Sequence, residues 1–165
     1  TMMTVCDGLF SRGGRLFRME KELNRDTISL LQECSSGCKM AMDSIRQIKD
    51  KVNDKQIREI MDKYFSGHSQ LEAECRQILN DVGAQDKEPG VIATTMANIQ
   101  TNIKMMIEND VKKAAEILTD GCNMGIKSLS SYINEFKNAD SKSVAIAEKL
   151  RRLEDNMIGD LQPML

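Results

Sequence analysis

The chain of 165 residues holds a single histidine, His68, so any acid–base or metal chemistry on an imidazole must centre there. Glu72 follows one helical turn later, at a spacing where a base and the group that orients it could meet. Five cysteines are present. Cys34 and Cys38 stand one turn apart, but no basic cluster or helix N-terminus flanks them to lower a thiol pKa, so they are read as packing thiols. A wider set emerges if the chain turns back at residues 53–54 and again at 138–141. At a rise of about 1.5 Å per residue, Cys38 and His68 then lie equally far from the first turn. Cys122 and Glu154 lie at similar distances from the second, and all four fall on apolar helix faces. Two sulfurs, a nitrogen and an oxygen suit one zinc or other thiophilic metal ion, with Glu72 as a further donor. The alternative is a polar core layer, with both thiols packed as small apolar groups and a His68–Glu154 hydrogen bond. Closely spaced ligand pairs such as CxxC are absent, which favours the second reading and no resident cofactor. No nucleophile–base–orienter set, Gly-rich phosphate loop or EF-hand pattern occurs, so no catalytic residue is assigned.

Four long amphipathic helices and one shorter helix must position these groups. Apolar residues in steps of three and four predict a helix over residues 21–52, with Ile28, Leu31, Ser35, Cys38, Met42 and Ile45 on one face and Glu33 pointing away. Asn53-Asp54 breaks it and offers an N-cap. A helix over residues 55–81 turns Ile57, Met61, Tyr64, His68, Cys75, Leu79 and Val82 inward, and Gly83 suits its C-terminal stop. The stretch GAQDKEPG forms a crossover loop. A shorter helix over 91–107, apolar at Ile92, Met96, Ile99, Ile103 and Met106, lies along the outside of the bundle. Asn109 or Asp110 caps a helix over 111–137, and a last helix covers 142–161 with Ala147, Leu150, Glu154 and Met157 inward. Gly37 and Gly125 occupy roughly matching places in their helices. A helical glycine costs about 1 kcal/mol against alanine and here is expected to mark close helix approach. The two halves echo each other: at an offset of about 87 residues Leu31 falls on Leu118 and Ser35 on Cys122. The plan is all-α: two helical hairpins joined by a long crossover that carries an extra short helix.

Composition bounds the function classes. The length suits one domain with a sizeable core. Aromatics make up only 4% of the chain while methionine numbers 12, a mixture that packs helices adaptably. The 23 basic and 25 acidic residues are interspersed without a basic stripe, which argues against a nucleic-acid partner. No apolar run approaches the roughly 18 residues of a membrane span. No apolar block follows a basic start as in a signal peptide, and an odd cysteine count suits reduced thiols. A cytoplasmic protein without membrane contact is expected. Residues 1–18, TMMTVCDGLFSRGGRLFR, lack helical periodicity and contain a Gly-Gly pair. They are expected to be a disordered arm or a spurious extension from a translated purine-rich ribosome-binding site. The bundle domain, residues 19–165, would then begin the natural chain at Met19.

The assembled plan resembles the ferritin-like superfamily, whose bundles are two hairpins with one long crossover. More narrowly, Glu33 four residues before Gly37, the stretch ECRQILNDVGAQDKEPG over 74–90, the intercalated helix and Tyr132 late in the third long helix resemble a bacterial family of uncharacterised rubrerythrin-related proteins. The resemblance spans residues 19–161. It implies the ferritin-like bundle and a homo-oligomer paired through a helix face, for which the 91–107 helix is the candidate. The superfamily's di-iron oxidases take a Glu from each of two helices and a Glu-x-x-His from each of the other two. Here the place three residues before His68 is Phe65, and Glu154-Asp155-Asn156-Met157 ends in methionine. Cys38 and Cys122 stand where inward carboxylates would be needed. A standard di-iron centre is excluded on ligand count, and ferroxidase, peroxidase and oxygenase chemistry with it. The expectation is a non-enzymatic structural or protein-interaction bundle. The alternatives are a metal-binding or redox protein using Cys38, His68, Cys122 and Glu154, and a carrier with an apolar pocket between its helices.

Overall fold

The computed structural model describes the backbone of residues 7–87 and 94–165 and the side chains of residues 25–87 and 96–165. Its helices are α1 (Asp7–Lys49), α2 (Lys55–Asp81), α3 (Thr94–Met105), α4 (Val111–Glu135) and α5 (Ser141–Leu161), followed by a 3-10 turn (Gln162–Met164). The four long helices are the two expected hairpins, α1–α2 and α4–α5, and α3 is the expected helix within the crossover. α1 begins at Asp7, ahead of the start near residue 21 that periodicity indicates. Residues 1–6 and the side chains of the expected arm lie outside the described residues, as do Pro89, Gly90 and Ile92 of the crossover. No helix among the described residues is long and apolar enough to cross a membrane.

Short polar side chains set the helix boundaries. Asp54, Asp110 and Asp140 each accept a hydrogen bond from the N–H three residues on, those of Ile57, Lys113 and Ser143, at 3.1, 2.9 and 2.8 Å. Each such cap contributes about 1 kcal/mol. α2 ends in a Schellman turn: Gly83 takes φ +72°, its N–H bonds the Asn80 carbonyl, and the Ala84 N–H bonds that of Leu79. Val82, expected to face inward, is instead the C-cap residue and is exposed, because the helical register has already ended there.

The hairpins are tied at both ends. At one end the Asn109 N–H donates to the Lys51 carbonyl at 2.8 Å, and its side-chain oxygen accepts from the Asn53 N–H at 3.0 Å. Asn109 holds φ +60° to do so, a conformation asparagine tolerates. At the other end Asp26 and Thr27 accept from the N–H groups of Asn138 and Asp140, each at 2.9 Å. These bonds fix the hairpins in register, so the level of one helix against another is set by the chain's turns.

The core falls into two apolar clusters along the bundle. One gathers Ile48, Ile57, Met61, Ile117 and Met157 with the inward face of α3. The other gathers Leu30, Leu31, Leu79, Leu129, Ile146 and Leu150. Cys122 belongs to the first cluster and Cys38 to the second. The polar layer singled out by the sequence therefore lies at the seam. α3 packs on α4 and on α1, burying Met96, Ile99, Ile103 and Met106. Its expected apolar face is thus directed into the bundle, and Met105 and Ile107 remain as exposed large apolar groups at its C-terminal end.

Candidate functional site

His68 of α2 is fully buried, and both of its ring nitrogens are engaged. Nδ1 lies 2.6 Å from the Tyr64 carbonyl oxygen one turn earlier, and Nε2 lies 2.8 Å from Glu154 Oε1 on α5. A carbonyl only accepts, so Nδ1 carries a proton and donates. One further proton lies between Nε2 and Oε1, making either imidazolium with carboxylate or imidazole with carboxylic acid. The pair is neutral as a unit in both forms, which suits its burial. Burial pushes the His68 pKa down, but the Glu154 hydrogen bond, its charge and the Tyr64 carbonyl outweigh it, and the net shift is upward. Burial raises the pKa of the Cys122 thiol on α4, and the nearby Glu154 charge adds to the shift. Gly125, just under one turn beyond Cys122, leaves room for the carboxylate: a Cβ there would stand 3.3 Å from Glu154 Oε1.

Of the five residues the sequence offered, His68 and Glu154 meet directly, and Cys122 lies close enough to feel the charge of Glu154. Cys38 lies close enough to feel the charges of Glu154 and Glu72. Glu72 does not orient His68. It accepts from the Ser35 hydroxyl at 3.5 Å and lies 3.7 Å from Arg76 Nη2. Among the described residues, no group of three or more His, Cys, Asp or Glu side chains is arranged to hold a metal ion. The donor types do not fit a di-iron centre either, since α1 and α4 present thiols to this layer. Those thiols are held protonated. Cys38 and Cys122 are pushed up first by burial and then by neighbouring negative groups, and Cys34 first by its hydrogen bond with Cys75.

Above the pair lies a cleft of about 560 Å³ between α1 and α4. Its walls are made of small residues: Ser36, Gly37, Ala41 and Ser44 on α1, and Gly121, Gly125 and Ser128 on α4. A Cβ at Gly37 would meet nothing within 4 Å. Gly37 and Gly125, expected to mark close helix approach, instead open a gap and make room for a carboxylate. Met96 and Ile99 of α3 line one end of the cleft, and His68, Cys122 and Glu154 lie among its lining residues. At the other end stand Glu33, Lys87 and Tyr132. Lys87 is hydrogen-bonded to Glu33, and the bond raises the Lys87 pKa. The Tyr132 pKa is raised by burial and then by Glu33. Glu33, expected to point away from the core face, therefore contributes to the cleft. The sequence signal for the cleft was the recurrence of small residues at helical spacing on both α1 and α4.

No family model and no curated protein matches the chain by sequence. Among solved structures, the crystal structure of Dps92 from Deinococcus radiodurans matches with a TM-score of 0.65 at 11% sequence identity, over 87% of this chain and 88% of that one. At that identity the likeness concerns the fold. Two hairpins, a long crossover and an extra helix within it, matched over most of both chains, give this protein the ferritin-like fold in its Dps-like form.

Proposed function

We propose that the chain is a non-enzymatic ferritin-like bundle that holds a small, largely apolar ligand between α1 and α4. The observation that supports this is the cleft of about 560 Å³, within the range of about 300–1,000 Å³ usual for ligand sites, with a few polar groups converging on it. The protein acts by binding, in keeping with protonated thiols and an imidazole committed at both nitrogens. The test is titration with an environment-sensitive apolar dye. Saturable binding at one site per chain is expected, and Gly37→Leu, which fills the cleft from α1, is expected to weaken it at least tenfold. Absence of binding, or equal binding by a folded Gly37→Leu variant, would overturn the reading.

The metal alternative draws on the His68–Glu154 contact and on Cys122 lying close enough to feel the Glu154 charge. A thiophilic ion there would have to replace the proton between His68 and Glu154 and those of the thiols. Elemental analysis of protein purified without chelator separates the readings. One ion per chain, lost in a Cys38→Ala, Cys122→Ala variant, would support the metal role, and metal-free folded protein would remove it.

A further inference from the structure

The cleft is graded along its length and balanced in charge. Its α1 wall runs from Glu33 to Ile48, about 22 Å at the helical rise. One end is apolar, formed by Met40, Ile45, Met96, Ile99, Ile117 and Met124. The other carries Glu33, Lys87, Tyr132, Ser36 and Ser128, with Glu154 between the ends. Every charged group in this lining has an opposite partner that also lines it: Glu33 with Lys87, and Glu154 with His68. A net charge brought to the level of the buried His68–Glu154 pair would meet no uncompensated counter-charge there and would carry a desolvation penalty.

Hydrogen-bonding capacity narrows the class further. The proton shared by His68 and Glu154 lies between Nε2 and Oε1, so in either form of the pair Glu154 Oε2 keeps acceptor capacity at the centre of the cleft. We propose that the ligand is an uncharged amphiphile whose polar end is a hydroxyl, with its apolar chain under α3 and its hydroxyl donating toward Glu154. This rests on the ligand-carrier reading and specifies the molecule that reading leaves open.

The experiment uses the full chain and three ten-carbon probes short enough to stay monomeric: decanol, decanoate and decylammonium. Each competes with the bound apolar dye. Decanol is expected to displace it, with decanoate and decylammonium at least tenfold weaker. Glu154→Gln, which adds a donor where an acceptor is required, is expected to reduce the preference for decanol over the charged probes. If the dye binds and either charged probe competes as well as decanol, the proposed class is wrong while the carrier reading stands. If the dye does not bind at all, the carrier reading falls and takes the class with it.

Discussion

One imidazole lying between two acceptors explains how a polar layer is accommodated at the seam of an apolar core. His68 gives one proton to the Tyr64 carbonyl and shares another with Glu154, so neither nitrogen is left unsatisfied. Removing one partner strands the other. Glu154→Leu is expected to destabilise the fold by about 3–5 kcal/mol in urea unfolding, whereas a His68→Leu, Glu154→Leu double variant is expected to lie near or above wild type. The pH dependence follows from the raised His68 pKa. The stabilisation is fully present below the unfolded value of about 6.5 and is lost as pH rises through the folded value. Wild-type stability should therefore fall across that window, and the double variant should not show the fall. The sequence placed the four residues at one level because helix rise and turn positions are regular. It did not decide between Glu72 and Glu154 as partner of His68, because that depends on how α5 is rotated against α2.

At the scale of elements, the two kinds of glycine make opposite predictions. Gly37 sits mid-helix beside open space, so Gly37→Ala is expected to stabilise by about 0.5–1 kcal/mol. Gly83 holds φ +72° in the Schellman turn, so Gly83→Ala is expected to cost about 1–2 kcal/mol. Thermal unfolding of both variants checks the pair of signs. The helix boundaries were legible because Asp54, Asp110 and Gly83 have few conformational alternatives in those roles. The cleft was less legible. A stripe of small residues is compatible with helices packed closely or held apart, and which occurs depends on what the rest of the bundle wedges between them. Here Glu154 takes the space beside Gly125.

At the scale of the molecule, α3 is the element that distinguishes the two ends of the α1–α4 face. It covers one end with Met96, Ile99, Ile103 and Met106, and the cleft extends beyond it. Self-association through this helix, expected from the resemblance, would have to use its exposed side, where Met105 and Ile107 are 77% and 75% exposed. If the protein pairs there, Met105→Lys with Ile107→Lys should shift sedimentation toward the monomer without changing dye affinity. An unchanged sedimentation profile would place any interface elsewhere.

The most direct measurement is methyl NMR of methionine-labelled protein during titration with the apolar dye. Met40, Met96, Met124 and Met157 line the cleft, whereas Met61 is buried in the core and Met105 is on the exposed side of α3. Saturable shifts at the four lining methyls, with Met61 and Met105 largely unmoved, are the predicted result. Shifts centred on Met105, or none at the four lining methyls, would contradict the account.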